Sequence, residues 1–315
     1  MTTCTGSNLC HEVNLNNTAT AAVYDVIFEN STRNALEFYG SNVTVEYNTF
    51  ISGLDGAVVA TGDTTIGYPT GYLITGNDIG SSSPASGYRG GAIGANGGSG
   101  TISNNSLIWN ASGDVDGRDI GNQPGSGGQI GIQIKASDVT VTGNTIDGGA
   151  YLNGGNMAPP YPPTGTTVLI NYGIEIDVCS VSCYLSGNTA KNHGVSGYWI
   201  GAGSAPIVTL NDETATSNKI HGIIVDGEST SKGVLIEGGS ATNNGGWKWF
   251  NGSSDPTGYG VFVQAGANDN TCVQSNVTLS PNTSGAICGI AGMNGNEKTC
   301  DPSPGTNYYQ KSSCP

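Results

Sequence analysis

Glu175 and Asp177 stand two positions apart in the segment GIEID, residues 173–177. Isoleucines alternate with these acids, which is the pattern of a β-strand that buries one face and exposes the other. Both carboxyl groups would then point outward from the same face. Repulsion between two such groups raises the pKa of one, so that one keeps its proton while the other is ionised. Such a pair is suited to general acid–base catalysis, whereas acids are otherwise rare in strands.

The same pattern recurs along the chain and indicates which elements hold the two acids. Eight segments share a small leading residue followed by alternating apolar positions: ALEFYG, GAVVA, GAIGA, GIQIK, GIEID, GYWIG, GIIVD and GVFVQ. Three of the leading glycines, Gly173, Gly197 and Gly222, follow one another at intervals of 24 and 25 residues. A repeat of this length fits one turn of a coil that contains about three short strands.

A second motif, a short apolar strand that ends in asparagine, alternates with the first. Its copies end on Asn30, Asn48, Asn77, Asn105, Asn144, Asn188 and Asn282. Asparagine suits tight bends, and asparagines stacked turn over turn could hydrogen-bond to one another. Helical periodicity is nearly absent. The two motifs therefore predict an all-β fold, a single-stranded parallel β-solenoid of about eight or nine turns that forms one domain over residues 1–315.

Aligning the strands of the first motif by their leading residue gives two columns of outward side chains. The first column is Glu37, Val58, Ala92, Gln133, Glu175, Trp199, Ile224 and Phe262, and the second is Tyr39, Ala60, Gly94, Lys135, Asp177, Gly201, Asp226 and Gln264. Strands of successive turns lie about 4.8 Å apart, so polar residues on consecutive strands should form one patch. The expected catalytic residues of this patch are Glu175, Asp177, Asp226 and Lys135.

The other face of the same strands should form the core of the coil. The side chains predicted to point inward are Ile132, Ile134, Ile174, Ile176, Ile223, Val225, Val261 and Val263.

Aromatic and amide side chains around the patch are expected to bind a substrate. The longest insertions, about 109–130, 147–172 and 245–259, precede strands of the first motif, so they should emerge along one edge of this face. Aromatic rings have flat apolar faces that stack well on other rings. The expected substrate-binding residues are Gln133, Trp199, Phe262, Gln264, Trp247 and Trp249.

The charge of the chain restricts its partners. It has 10 basic residues against 24 acidic ones and a formal net charge of −14. Nucleic acid is excluded as a partner because its binding depends on neutralising phosphates with cations. Membrane insertion is excluded too, because no apolar run reaches the ~20 residues that a membrane helix needs.

The eight cysteines fall into close pairs along the sequence, which predicts disulfides and a secreted or cell-surface protein. The predicted bridges are Cys179–Cys183, Cys4–Cys10, Cys272–Cys288 and Cys300–Cys314. The second and fourth bridges would tie the end segments 1–20 and 296–315.

The repeated GIxI and VTVxxN units resemble the right-handed parallel β-helix, or pectate-lyase-like, superfamily over about residues 20–295. The resemblance implies a right-handed coil whose substrate binds on the face that carries Glu175 and Asp177. It does not imply one reaction, because the superfamily contains lyases, hydrolases, epimerases, phage tailspikes and adhesins.

Three functions therefore stay open, and a polysaccharide is the expected partner in each. In a glycoside hydrolase, which needs no cofactor, two of the acids would act as proton donor and base, at a separation that favours inversion. In a polysaccharide lyase, Lys135 would be the base, and Glu175, Asp177 and Asp226 would hold Ca²⁺ through hard oxygen ligands. In a non-catalytic glycan-binding or fibre-forming β-helix, the acids would only solvate an exposed face. The scarcity of arginine and the nearby aromatic residues favour hydrolysis of a neutral glycan.

Overall fold

The structure is a computed structural model. It describes residues 13–15, 20–29, 31, 34–51, 56–62, 65, 67–80, 91–108, 129–135, 138–148, 170–201, 208–226, 233–246, 257–264 and 271–289. All the regular elements in these ranges are β-strands. None of the described residues forms a helix that could cross a membrane.

The strands form three parallel sheets that wind round a common axis, and each of the first eight turns supplies one described strand to each sheet. The first sheet has ten described strands: β1 (Val13–Leu15), β4 (Leu36–Phe38), β7 (Val58–Thr61), β10 (Gly91–Asn96), β13 (Gln129–Lys135), β16 (Ile170–Val178), β19 (Ser196–Ile200), β22 (His221–Val225), β25 (Tyr259–Val263) and β27 (Gly285–Gly289). The second has nine: β2 (Ala21–Tyr24), β5 (Val43–Glu46), β8 (Thr70–Thr75), β11 (Ser99–Ser103), β14 (Asp138–Thr142), β17 (Ser182–Ser186), β20 (Val208–Asn211), β23 (Val234–Glu237) and β26 (Thr271–Val273). The third has eight: β3 (Ile27–Phe28), β6 (Thr49–Phe50), β9 (Asp78–Gly80), β12 (Ser106–Ile108), β15 (Thr145–Asp147), β18 (Thr189–Lys191), β21 (Thr214–Thr216) and β24 (Ser240–Thr242).

The longest intervals between strands share one corner of the coil. They are residues 109–128, 148–169 and 243–258, and each joins a strand of the third sheet to a strand of the first. The prediction that the insertions lie along one edge is confirmed by the order of the strands that they join. The second insertion was predicted to extend to residue 172, but β16 begins at Ile170.

The core fills the space between the three sheets. All eight side chains predicted to point inward are almost fully buried there, from Ile132 in β13 to Val263 in β25. The predicted outward columns were wrong by one residue in two early turns. Val58, Ala60 and Ala92 are buried in the core, and Val59 and Gly94 take the first outward column instead. In these two turns an alanine holds the leading position. The alignment used the glycine one residue before it, so the columns were displaced by one residue there.

The leading glycines are required by the approach of successive turns. A Cβ atom on Gly173 would lie 2.7 Å from the carbonyl oxygen of Gly197, and one on Gly222 would lie 2.6 Å from that of Gly260. Those contacts involve backbone, which cannot move aside, so a larger residue does not fit at these positions.

Asparagines stack at the corner between the second and third sheets, as the second motif predicts. Five of them are buried in one row: Asn48, Asn77, Asn105, Asn144 and Asn188. Each side-chain amide donates to Oδ1 of the next asparagine, at 2.8–3.0 Å. The row ends on an acid, because the amide of Asn188 donates to Oε1 of Glu213 at 2.9 Å.

A second row of amides follows the corner between the third and first sheets. The amide of Asn218 donates to Asn244, and that of Asn244 donates to Asn282, both at 3.0 Å. Asn282 therefore belongs to this row, and its assignment to the first row was wrong. The segment before it pairs with the third sheet, through the bridge between Ser240 and Thr278.

The cysteine predictions are partly tested. Cys179 and Cys183 form the predicted disulfide, with Cα atoms 6.1 Å apart. Cys272 and Cys288 are each disulfide-bonded. They lie in β26 of the second sheet and β27 of the first, and the predicted bond between them stays a prediction. Cys4, Cys10, Cys300 and Cys314 lie outside the described residues, as does most of each predicted end segment.

Candidate functional site

Three consecutive strands of the first sheet bring the central residues of the predicted patch together. The pairing register sets Gln133 of β13 opposite Glu175 of β16, and Glu175 opposite Trp199 of β19. Strand alternation turns these side chains away from Ile174 and Ile176, which are buried in the core. The sequence predicted the directions of these three residues correctly.

A β-bulge places Asp177 beside Glu175. Ile134 pairs with Ile176, but Lys135 pairs with Val178, so Asp177 is an extra residue without a partner in β13. A bulge bends the strand and redirects the side chain of the extra residue. The carboxylate of Asp177 lies 3.2 Å from the ammonium of Lys135 and forms an ion pair with it.

Glu175 and Asp177 form a hydrogen-bonded pair of carboxyl groups. The amide of Gln133 donates to Oε2 of Glu175 at 3.2 Å and to Oδ2 of Asp177 at 3.4 Å. Glu175 is 8% exposed, and its burial raises its pKa to about 8, with further contributions from the charge of Asp177 and the hydrogen bond between the two. Glu175 therefore carries a proton at neutral pH, whereas Asp177 faces a cation.

This contact corrects the separation expected from an unbroken strand. Two carboxyl groups that share a hydrogen bond are too close for a water molecule to act between them, so Glu175 and Asp177 do not flank a scissile bond as an inverting pair would. Gln133 also has another role than the predicted one, because its amide bridges the two acids.

Tyr172 is a site residue that the sequence reasoning missed. Its ring lies 4.8 Å from that of Trp199, and its side chain is 4% exposed. Burial raises the pKa of its hydroxyl well above the usual value, and the charges of Glu175, Asp226 and Asp177 raise it further. The phenol therefore stays protonated among three acids. Its position directly before a leading glycine was the available signal, because that position also faces outward.

Asp226 completes the acidic cluster at the end of β22. Its side chain is partly exposed, and its charge acts on the hydroxyl of Tyr172 together with those of Glu175 and Asp177. Its backbone amide donates to the carbonyl of Ile200, which continues the pairing with β19. Gln264 follows the next strand and is also partly exposed, so it keeps its place at the end of the patch.

Phe262 was predicted to contact substrate, and the structure contradicts this. Its side chain is fully buried and stacks on the ring of His221, with centroids 4.4 Å apart. It belongs to a second apolar cluster on the outer side of the first sheet, together with Ile224 and Tyr172. Alternation gave its direction correctly but could not show that this part of the outer face is covered. Trp199 packs against the same cluster but stays partly exposed. Trp247 and Trp249 lie outside the described residues.

The lyase alternative implies that Glu175, Asp177 and Asp226 bind Ca²⁺. No group of three or more acids, histidines or cysteines in the described part of the chain converges as a metal site requires. Glu175 is hydrogen-bonded to Asp177, and Asp177 is paired with Lys135, so these two acids are directed at each other and at a cation already present rather than at a common ion. The residues present do not fit the ion.

The comparison with known families agrees with the described geometry. The family described as right handed beta helix region matches residues 11–241. No curated protein and no solved structure matches the chain.

Proposed function

The chain belongs to the right-handed β-helix family, and from this premise we propose that it is an extracellular enzyme that hydrolyses a neutral polysaccharide. The substrate would lie over the outer face of the first sheet, against Trp199. The polar residues that this role requires lie in β13 and β16 and directly after β22, so strand pairing sets the spacing between them.

One observation carries the proposal: a buried acid with a raised pKa lies in contact with a second acid that is paired with a cation. Glycoside hydrolysis needs a proton donor that is still protonated at working pH, and the pKa of Glu175, raised to about 8 by burial, meets that need. Asp177 forms an ion pair with Lys135. An acid that only solvated a surface would be neither buried nor matched in this way.

Glu175 is the proposed proton donor to the leaving sugar oxygen. Asp226 is the proposed base, since it lies two strands from β16, at about 9–10 Å by the spacing of parallel strands. A distance of this order leaves room for the attacking water of an inverting hydrolase. Asp177 and Gln133 position Glu175.

The lyase alternative is weaker on the same geometry. A lyase would use Lys135 as its base, but that amine is engaged in an ion pair with the carboxylate of Asp177 at 3.2 Å. The three acids also do not suit the cation that would neutralise a uronic acid.

An extracellular location is proposed from the cysteines. All four that the structure describes, Cys179, Cys183, Cys272 and Cys288, are disulfide-bonded, and such bonds persist in oxidising compartments.

A panel of neutral and acidic polysaccharides tests the proposal, with new reducing ends and absorbance of unsaturated products measured in parallel. Hydrolysis gives reducing ends without absorbance, and Glu175→Gln should lower kcat by about 10²–10⁴. Glu46→Gln is the matched control, because Glu46 lies on the outer face of the second sheet, partly exposed.

Absorbing products would replace the hydrolase with a lyase. Binding without cleavage would leave a glycan-binding β-helix. The absence of both binding and cleavage across the panel would refute the proposal.

A further inference from the structure

Strand pairing on both sides holds the chain directly before the bulge at Asp177. Ile176, before it, is fully buried and pairs with strands on both sides, Ile134 and Ile200. Asp177 itself pairs with neither neighbouring strand. Because an extra residue gives up ladder hydrogen bonds, its position depends on the residues that flank it.

The other flank is fastened by a disulfide. Val178, directly after the bulge, is partly exposed, and Cys179 follows it at the corner that leads to the second sheet. Cys179 is bonded to Cys183, and both are 1% exposed. Cys183 is held in turn, because it pairs with Val139 and Val208 within the second sheet.

The next turn leaves little space for the bulge to relax. A Cβ atom on Gly201 would lie 2.8 Å from the carbonyl oxygen of Ile176 and 3.1 Å from that of Asp177. The absence of a side chain at position 201 is what allows β19 to follow a bulged strand so closely.

We propose that the Cys179–Cys183 disulfide is a positioning element of the site: it holds the end of β16 so that Asp177 stays in the bulge, against Glu175 and Lys135. The disulfide joins residues only four positions apart, so it removes little freedom from the unfolded chain, and a mainly stabilising role would be small. Its location two residues after Asp177 gives it a local role instead. The inference concerns the same acids as the proposed hydrolase, but the geometry that it explains does not depend on the reaction.

The test is the pair Cys179→Ala with Cys183→Ala, compared with the wild type and with Leu210→Ala. Leu210 is a buried core residue of β20, so its truncation loosens the second sheet without touching the bulge. Carboxyl NMR titration of glutamate-labelled protein, with the Glu175 signal assigned from Glu175→Gln, gives the pKa of Glu175 in each variant. If the alanine pair does not fold, Cys179→Val with Cys183→Val keeps the apolar volume and answers the same question.

Without the disulfide, Asp177 should move away from Glu175, so the pKa of Glu175 should fall towards its usual range. Asp177→Asn, which removes the charge and keeps the disulfide, gives the size of the fall to expect. On a cleaved glycan, the disulfide-free variant should also lose kcat at least tenfold with little change in KM, whereas Leu210→Ala should leave both nearly unchanged.

A Glu175 pKa that equals that of the wild type, or that shifts as much in Leu210→Ala, would overturn the positioning role. Failure of the proposed function is a separate result. If no glycan is cleaved but the pKa of Glu175 falls as described, the positioning role stands and the hydrolase does not.

Discussion

Glu175 and Asp177 can lie in contact because they differ in environment more than in chemistry. Glu175 is buried behind Gln133, so its charged form is disfavoured, whereas the side chain of Asp177 is 34% exposed and paired with Lys135. One proton between them removes the repulsion that two charges would cause. Burial thus raises the pKa of Glu175, whereas Asp177 stays partly exposed and paired with Lys135.

The types and directions of these residues could be predicted from alternation, but their separation could not. A bulge adds one residue to one strand, and nothing in GIEID distinguishes a bulged strand from a straight one. The burial of Phe262 was unpredictable for a similar reason, because alternation gives the side of a sheet and not what lies over it.

Phe262→Ala should reduce the free energy of unfolding by about 3–5 kcal/mol, because it removes a fully buried ring that stacks on His221. Chemical denaturation measures this change. Tyr24→Ala is the control, since Tyr24 is 60% exposed and its loss should cost less than about 0.5 kcal/mol. A stable Phe262→Ala variant with weakened glycan binding would show instead that Phe262 contacts the ligand.

The asparagine row is the element that fixes the corner between the second and third sheets. Oδ1 of Asn105 accepts from both the backbone and the side-chain nitrogens of Asn77, at 3.0 and 2.9 Å. Both donors are buried. Without this acceptor the backbone N–H of Asn77 would lose its partner, whereas the side-chain amide would still donate to the carbonyls of Val45 and Thr75. The row was predictable because its motif recurs in nearly every turn. The second row was not, because the strands before it have only two or three residues and show no periodicity.

Asn105→Ala should therefore destabilise the protein by about 1–3 kcal/mol, which is the cost of one buried group left without a partner. Thermal and urea unfolding both report this quantity. Asn211→Ala is the matched control, as the Asn211 side chain bonds to Tyr184 and Ser186 near the surface. Equal effects in the two variants would contradict a special role for the row.

The acid at the end of that row should make stability depend on pH. Glu213 is 2% exposed, and burial raises its pKa from 4.5 to about 7, against opposing hydrogen bonds from Tyr198 and Asn188. Asn188 donates to Oε1, whereas Oε2 has no hydrogen-bond partner, which suits a neutral carboxyl better than an ionised one. The folded state therefore holds a proton that the unfolded state releases between pH 4.5 and 7.

A raised pKa of an acid stabilises the folded state at low pH, and that stabilisation is lost as pH rises through about 7. Glu213→Gln keeps the acceptor and cannot ionise. It should match the wild type near pH 4 and exceed it above pH 7 by on the order of 3 kcal/mol. Unfolding free energies measured from pH 4 to 8 give the difference, in which the contribution of Glu175 cancels. A difference that does not change with pH would show that Glu213 is not protonated in the folded protein.

For the whole molecule, the repeat explains the fold, whereas the reaction depends on details that the repeat does not carry. The family and the parallel sheets could be predicted from the repeat alone, because each turn must stack on the next to bury its core. The reaction could not, because it depends on which outward residues share a neighbourhood, and a bulge and a covered patch changed that neighbourhood in two places.

The net charge of −14 should make the protein discriminate against acidic polysaccharides. Among the described residues of the patch, the charges of Asp177 and Asp226 outnumber that of Lys135, which is paired with Asp177. A polyanion would approach against this field, whereas a neutral chain would not be affected.

At low ionic strength we therefore expect kcat/KM to be higher for a neutral glycan than for an acidic one with the same linkage. Added salt shortens the Debye length from ~30 Å at 0.01 M to ~8 Å at 0.15 M, so it should raise kcat/KM for the acidic polymer and leave the neutral one nearly unchanged. Initial rates across that range of salt provide the measurement. A preference for the acidic polymer that weakens with salt would place a cationic surface at the site and contradict the assignment of a neutral substrate.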